Sequence, residues 1–181
     1  LRRARLVRAA LRGACLRGAN LSPADLTQAE FRVGQVALPP PSKGLASVVH
    51  QTREGQLDNA IFAGATLDGS QLNDASAFAS DFTDCSLKGA KMSGANLKDA
   101  NLSGAMLDGA DVANTNFEGA NLSFATITGV DVAQARTYGA NMSGAIRAPT
   151  AAAIERAEEL FARAQSNHLW CQTGGREGKP A

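Results

Sequence analysis

Bulky side chains, paired cysteines and long apolar runs are all scarce in this 181-residue chain. Aromatic residues make up 5% of it, which argues against a conventional core of large side chains. No apolar stretch reaches the roughly 18 residues that a transmembrane helix needs, and no signal peptide is visible. The three cysteines, at positions 15, 85 and 171, lie far apart, which argues against a disulfide framework and fits a reducing compartment. We therefore expect a cytoplasmic protein without a membrane-spanning helix.

The net charge of +1 hides a contrast between two parts of the chain. Residues 1–36 contain seven arginines against two acidic residues, a net charge of +5. Residues 55–147 contain five basic and ten acidic residues, a net charge of −5. A basic segment of this kind attracts anionic partners, so the contrast bears on function.

A five-residue period stands in place of a conventional hydrophobic pattern. In "GANLKDANLSGAMLDGADV", residues 94–112, a large apolar residue recurs at every fifth position and an alanine stands two positions before each. Steps of five advance about 500° around an α-helix and alternate between the faces of a flat strand, so neither element collects these residues on one side. A sustained internal period predicts a repeat architecture. We call the large apolar position the centre of each repeat.

Eighteen repeats follow this pattern between residues 55 and 147, and sixteen of their centres are large and apolar. The residue two before the centre is small in seventeen of them, and Val130 is the exception. Residues 1–36 repeat the pattern with a phase that differs by one residue. The centres are Leu1, Leu6, Leu11, Leu16, Leu21, Leu26, Phe31 and Val36, then Leu57, Phe62, Leu67, Leu72, Ala77, Phe82, Leu87, Met92, Leu97, Leu102, Leu107, Val112, Phe117, Leu122, Ile127, Val132, Thr137 and Met142.

The stretch "GANLKDANLSGAML" resembles the A(D/N)Lxx consensus of the pentapeptide-repeat family, and the resemblance covers residues 1–36 and 55–146. It implies an all-β solenoid, a right-handed quadrilateral β-helix with four pentapeptides to a coil. Each centre then points inward from its own side, and the small residue two before it also points inward. Stacking every twenty residues predicts interior columns, of which one contains Phe62, Phe82, Leu102, Leu122 and Met142, and another Leu67, Leu87, Leu107 and Ile127.

An irregular insertion over residues 37–54 separates the first repeat block, residues 1–36, from the second, residues 55–147. Its three prolines, Pro39–Pro41, favour an extended segment. The apolar spacing that follows matches a short amphipathic helix. Its length leaves open whether the insertion completes a coil or protrudes. The residues of the predicted helix face are Leu45, Val48, Val49 and Thr52.

A capping or connector helix is expected within residues 148–167, at roughly 151–166, with Thr150 as its N-cap. Its apolar side is expected to cover the last coil, because an uncovered edge recruits other strands. The tail over residues 168–181, "HLWCQTGGREGKPA", resembles a connector between repeat blocks in some members of the family. We therefore expect the parent protein to continue past Ala181 with a further block. The matching positions are His168, Trp170, Gly174, Gly175, Gly178 and Ala181.

No constellation of catalytic or metal-binding residues is evident, so we expect neither an enzyme nor a bound cofactor or metal. The two histidines both lie in connecting segments, and the cysteines lack the short spacing of a zinc site. Cys85 stands at a small inward position, where it substitutes for alanine, whereas Cys15 is expected to face outward. The glycine-containing stretches match no phosphate-binding loop.

Two sets of outward residues are candidates for an interaction surface. The arginines of the first block form either a solvated surface or a site for an anionic membrane, a nucleic acid or an acidic protein. Phe78 and Tyr138 follow the two weak centres, so each ring either folds inward at a local bulge or contributes to an exposed contact patch. Opposite charges along Asp68, Lys88 and Asp108 predict stabilising ladders between coils. The arginines concerned are Arg2, Arg3, Arg5, Arg8, Arg12, Arg17 and Arg32.

The prediction for function is a non-catalytic structural scaffold or protein–protein interaction module of a bacterial protein, with an unidentified partner. The resemblance also brings an alternative, because some family members confer quinolone resistance by imitating duplex DNA and binding gyrase. That activity needs a dense negative surface, and a second block at −5 with three lysines in its ladders is too weakly charged, so nucleic-acid mimicry and nucleic-acid binding are not favoured. A third reading is an accessory domain of a larger effector or enzyme. Oligomers could form through the coil ends.

Overall fold

The computed structural model describes residues 1–38, 49–147 and 151–173, with the backbone alone at residues 37–38, 49–50, 151–154 and 169. The chain divides into two compact units, Leu1–Arg147 and Ala148–Ala181. The first unit contains the repeats, and the second contains the helix α1, Ala151–Gln172. The two strands, β1 (Gly34–Leu38) and β2 (Val49–Arg53), belong to the first unit.

Parallel bridges between residues twenty apart define the coil of the first unit. Each bridging residue directly precedes a repeat centre, and four columns of bridges run through the stacked coils. The sequence period therefore corresponds to one pentapeptide per side and four per coil. The columns in the second block are Gln56, Ser76, Asn96, Asn116 and Arg136; Ile61, Asp81, Asn101, Asn121 and Asn141; Thr66, Ser86, Met106, Thr126 and Ile146; and Gln71, Lys91 and Asp111.

The repeat centres from Leu21 to Phe31 and from Leu57 to Ile127 fill the interior of the coils, as the period predicts. The prediction of a centre at Val36 is wrong, because this residue lies on β1 and pairs with Gln51 of the hairpin. Leu97, Leu102 and Leu107 expose 2%, 0% and 0% of their surface. The rings of Phe62 and Phe82 stack in the predicted column with their centroids 4.8 Å apart and an interplanar angle of 5°. Alanines occupy the positions two before the centres and are equally buried, because the narrow interior leaves room for one large side chain per side.

Backbone hydrogen bonds explain why asparagine or aspartate precedes the centre. In the repeat around Leu102, the N–H groups of Leu102 and Gly104 donate to carbonyls of the next coil at 2.7 and 2.9 Å, and that of Asn101 donates to the preceding coil at 2.9 Å. The N–H of Ala105 closes the turn on the Leu102 carbonyl at 3.1 Å. The N–H of Ser103 takes no part in the hydrogen bonds between coils. It donates instead to the Asn101 side-chain oxygen at 3.2 Å. The Asx side chain thus satisfies the remaining backbone donor of its repeat.

The insertion protrudes as an antiparallel hairpin, in which Gly34 of β1 pairs with Arg53 of β2. The coil continues past it without loss of register, because Cys15 bridges Gln56, 41 residues on, instead of the usual twenty. The additional 21 residues account for the change of phase between the blocks. At the base of the hairpin, a Cβ atom on Gly55 would lie 1.8 Å from the Phe31 carbonyl oxygen, so only glycine fits there.

The structure describes two of the residues in the short helix predicted for the insertion, and for both of them the prediction is wrong. Val49 and Thr52 lie on β2, opposite Leu38 and Gln35 of β1. Both are β-branched, so strand pairing suits them better than a short isolated helix. The other residues of that prediction, Leu45 and Val48, and the proline stretch Pro39–Pro41 lie outside the described residues.

The coil becomes irregular where the sequence departs from the repeat. A 3₁₀ turn, Val132–Gln134, follows Val130, the single large residue at an inward small position of the second block. Asp131 caps this turn by accepting from the Ala133 N–H at 3.2 Å. The usual parallel bridge is not formed between the described residues Asp111 and Asp131. A bulky residue at the narrow position thus coincides with the loss of the regular side.

Helix α1 extends six residues beyond the predicted end and includes His168 and Trp170, which the connector motif places in the tail. Leu160 and Phe161 expose 56% and 65% of their surface. Capping of the last coil by this helix stays a prediction. Thr150 and the tail from Gly174 onward lie outside the described residues. Among the described residues, no helix has the length and apolarity needed to span a bilayer.

Candidate interaction surfaces

Cysteine, histidine and carboxylate side chains form no cluster that could hold a metal ion within residues 1–38, 49–147 and 151–173. Cys85 is buried, and its Sγ–H donates to the Phe62 carbonyl at 2.7 Å. Burial raises the pKa of this thiol to about 12, so it stays protonated and unreactive. Cys15 is exposed, as predicted. The environment of Cys85 thus indicates a structural role for this residue.

The carboxylates that follow repeat centres bind the next coil. Asp58 accepts from the Ser76 hydroxyl at 2.5 Å and from the Phe78 N–H at 3.1 Å. Asp68 makes the same two contacts, with the Ser86 hydroxyl and the Lys88 N–H. The predicted charge ladder at Asp68 and Lys88 is therefore replaced by hydrogen bonds to the backbone and a hydroxyl. Such bonds hold the carboxylate in one orientation, which a flexible lysine would not do.

Two other sets of side chains make contacts between coils. Lys98 Nζ lies 3.6 Å from Glu118 Oε2, which makes an ion pair between adjacent coils. The Asn121 amide donates to the Asn101 side-chain oxygen at 3.2 Å, and Asn141 donates to Asn121 at the same distance. These contacts use the polar groups that recur with the repeat. They account by contacts between coils for the asparagine column and for the pair Lys98 and Glu118.

The arginines of the first block divide into two groups. Arg12 and Arg32 both bind Glu30, the latter at 3.4 Å. Arg17 binds Asp58 at 3.1 Å. The second group has no ion pair among the described residues: Arg2, Arg3, Arg5 and Arg8 are all exposed, and the Arg8 Nε donates to the neutral Gln28 side chain at 2.8 Å.

The two acidic residues of the first block are held ionised by their surroundings. The Arg12 guanidinium, through its hydrogen bond, lowers the pKa of Glu30 below its usual range. The Thr27 hydroxyl and N–H donate to Asp25 and lower its pKa, with a smaller contribution from the charge of Arg5. Arg5 is thus the one free arginine with a carboxylate in its vicinity.

Phe78 and Tyr138 lie on the outside of the same side of the coil, with Lys98 and Glu118 between them. Phe78 exposes 40% of its surface and Tyr138 exposes 89%. The adjacent centre, Ala77, is itself buried at 2%, so the Phe78 ring does not replace it in the interior. The two interpretations of these rings were inward folding at a bulge and exposure on the outer surface. The structure shows exposure.

Phe124 is an exposed aromatic residue that the period alone does not single out. It exposes 72% of its surface and occupies a corner with φ of +58°, where a bulky side chain costs about 1–2 kcal/mol. Its ring lies over Gly144 of the next coil, since a Cβ there would be 2.6 Å from the ring. The sequence does contain a signal for this exposed ring. Phe124 stands two positions after a centre, where the second block otherwise has glycine, small or polar residues.

Comparison with known proteins gives a consistent result. The model of pentapeptide repeats matches eight copies, over residues 1–32, 80–119, 95–132 and 115–146. A pentapeptide repeat protein from the thylakoid lumen of Arabidopsis thaliana is 30% identical, with 66% of this chain and 69% of that chain covered and a TM-score of 0.53. The pentapeptide repeat protein Rfr23 of the cyanobacterium Cyanothece 51142 is 25% identical, with 75% and 85% covered and a TM-score of 0.46. QnrB1, a plasmid-mediated fluoroquinolone resistance protein, is 17% identical, with 86% and 93% covered and a TM-score of 0.35. No curated protein matches the chain.

Proposed function

We propose, from the premise that the chain belongs to the pentapeptide repeat family, that it is a non-catalytic scaffold that binds another protein through its outer surface. The coil is then a right-handed β-helix of roughly square section. Four corner turns per twenty residues support the square section. The unpaired state of Cys15, Cys85 and Cys171 supports a reducing compartment, and we place the protein in the cytoplasm.

The observation that carries this proposal is the exposure of three aromatic rings on the outer surface of the coil. Tyr138, Phe124 and Phe78 expose 89%, 72% and 40% of their surface. Aromatic side chains are enriched in the residues that dominate binding energy at protein interfaces. The recurrent polar residues, by contrast, bind adjacent coils, so little of their chemistry is left for catalysis.

Imitation of DNA has less support. A duplex carries about one charge per 1.7 Å of its axis. The acidic residues Asp58 and Asp68 instead bind groups of the next coil, and Glu118 is paired with Lys98. Inhibition of gyrase supercoiling by sub-micromolar concentrations of this chain would favour the imitation of DNA over the scaffold.

Photo-crosslinking tests the proposal in the cells that make the protein. With p-benzoylphenylalanine in place of Tyr138, irradiation is expected to give a defined adduct to a second protein, which mass spectrometry identifies. This substitution should not unfold the coil, because the native Tyr138 ring is already exposed.

The matched control places the same amino acid at Lys91, an exposed position on another side of the coil. A surface used for binding gives the adduct at position 138 and little at position 91. The same set of adducts at both positions, or none at either, would contradict the proposal. Replacement of Tyr138 by Ser should remove the partner from co-purification while leaving the melting temperature unchanged.

A further inference from the structure

The four unpaired arginines of the first block lie together on one coil. Arg3 and Arg8 occupy successive corners, both with φ of +56°, and Arg5 lies on the side between them. Arg2 directly precedes the first of these corners. All four are exposed, and none has an ion pair among the described residues. We call this set, Arg2, Arg3, Arg5 and Arg8, the arginine band.

Folding does not account for the arginine band. Like charges in close proximity repel and lower stability. The other arginines of the same coil, Arg12 and Arg17, are each neutralised by a carboxylate, Glu30 and Asp58. Among the described residues, Arg12 and Arg17 thus have counter-charges on the adjacent coil, whereas the band has only the nearby Asp25. An uncompensated cluster of this kind fits a site for an anion.

Arginine is used here to the exclusion of lysine. All seven basic residues of residues 1–36 are arginines, whereas the lysines Lys88, Lys91 and Lys98 lie in the second block. The planar guanidinium donates two parallel hydrogen bonds to a carboxylate or phosphate, which a lysine ammonium does not. The composition therefore favours recognition of defined anionic groups over a diffuse electrostatic attraction.

The arginine band is one coil thick, about 5 Å, and acidic residues follow it along the axis. On the same side of the unit, Asp25 is the bridge partner of Arg5 on the next coil, Asp68 lies on the third coil, Lys88 on the fourth and Asp108 on the fifth. A flat anionic membrane or a DNA duplex laid along this side would meet all three carboxylates. A segment that runs parallel to residues 2–8 would border only Asp25.

We propose that the arginine band binds an extended acidic segment of a partner protein, with carboxylates paired to the guanidinium groups. The inference deepens the proposed function and rests on it, because it names the chemistry of one partner surface. Alternate carboxylates of an extended peptide project about 6.8 Å apart on one face, so a short acidic run can reach several arginines at once. The site is separate from the side that carries Phe78 and Tyr138.

Fluorescence anisotropy with a fluorescein-labelled octaglutamate peptide tests the inference on the full chain. We expect saturable binding at 20 mM salt that weakens at 150 mM, because screening shortens the reach of exposed charges to about 8 Å. The double variant Arg3→Gln/Arg5→Gln should weaken the affinity by about tenfold or more, since each charge-assisted hydrogen bond is among the stronger contacts of its kind.

The matched control is Arg12→Gln/Arg17→Gln, which removes the same two charges from the same coil. Because these arginines are already paired, we expect a change of about threefold or less, from the altered net charge alone. Circular dichroism and thermal unfolding test whether both variants remain folded. Equal losses in the two double variants would mean that net charge, and no built site, determines binding.

Two further probes decide the class of partner. A 20-base-pair duplex and vesicles of phosphatidylcholine with 30% phosphatidylserine are titrated under the same conditions. Tighter binding of either probe through Arg3 and Arg5 would overturn the proposal of an acidic peptide, as would the absence of saturable octaglutamate binding at 20 mM salt. None of these outcomes affects the crosslink at Tyr138, so failure here is distinct from failure of the proposed function.

Discussion

At the scale of the residue, some corner side chains occupy the space beside a glycine in the next coil. Asp84 lies at a corner with φ of +54°, and its Oδ1 would be 2.2 Å from a Cβ on Gly104. Asp74 has the same relation to Gly94, as Phe124 has to Gly144. The relation is local to these corners, because Arg8 is followed at the next corner by Gln28. The sequence shows glycine, aspartate and asparagine at corners, but the pairing between coils emerges from the stacked structure.

Gly104→Ala should lower the free energy of unfolding more than Gly109→Ala. Both glycines adopt positive φ, so both substitutions incur about 1–2 kcal/mol of backbone strain. Nothing lies within 4 Å of a Cβ on Gly109, whereas a Cβ on Gly104 forces the exposed Asp84 carboxylate to rotate, which adds about 0.5–1.5 kcal/mol. Urea denaturation measures the difference between the two variants.

A second substitution isolates the contact. Asp84→Gly combined with Gly104→Ala should restore the stability of the Gly104→Ala chain to that of Gly109→Ala, because the obstructing carboxylate is gone. Equal destabilisation by the two single substitutions would refute the pairing between these corners.

At the scale of the element, the hairpin β1–β2 interrupts a coil that is otherwise continuous. The bridges that span the hairpin in sequence, Asn20 to Ile61 and Asp25 to Thr66, join residues 41 apart. Without the 21 additional residues, this separation equals the twenty residues of a regular coil. The change of phase was visible in the sequence. The hairpin was not, because strand pairing between β1 and β2 joins residues that a local helical period cannot relate.

Removal of residues 35–55 should leave a folded coil. The deletion joins Gly34 to Gln56, which restores the spacing of twenty residues and places Gly34 at the inward small position that Gly55 occupies. We expect cooperative unfolding with a melting temperature within a few degrees of the full chain, measured by circular dichroism.

The control deletion, residues 36–55, is one residue shorter. It leaves one residue too many in the coil, so every following centre is out of register and must shift or bulge. A strong loss of stability is expected. Equal stability of the two deletions would show that the coil does not depend on the twenty-residue register.

At the scale of the whole molecule, the first unit is a stack in which each coil contacts its neighbours. The centres of the middle coils, such as Leu87 and Leu107, expose 1% and 0% of their surface, whereas Leu6 and Leu11 in the first coil are partly buried. In a solenoid the stability of a repeat is the sum of its own term and the interfaces with its neighbours. In a chain that begins at Leu1, the first coil has one neighbouring coil and therefore opens at lower cost than the middle ones.

Native-state hydrogen exchange should show this gradient. The Leu6 and Leu87 amides both donate to a carbonyl of the next coil at 2.7 Å, so their hydrogen bonds are matched. We expect exchange about 100-fold slower at Leu87, which corresponds to a local opening free energy higher by about 3 kcal/mol. Equal protection of the two amides would indicate that the unit opens as one cooperative body.

The sequence by itself determined which residues are inside. A period of five, with a small residue two positions before each centre, can bury the centres only if the chain turns after each pentapeptide. This property is local, because every repeat contains the same pattern. Leu97, Phe82 and Cys85 were placed inward on that ground and are buried. The family and the absence of a recognisable catalytic motif follow from the same local pattern.

Only the tertiary structure decided how the outward residues are used. Arg2 and Arg12 both directly follow a repeat centre, but Arg12 binds Glu30, whereas Arg2 has no ion pair among the described residues. Sequence position makes Asp68 a charge partner of Lys88, but the carboxylate binds the backbone of the next coil instead. These outcomes depend on atoms brought together by stacking twenty or more residues apart. The inward residues follow from a pattern that repeats every five residues. The contacts of the outward residues, by contrast, depend on which side chains the neighbouring coil places beside them.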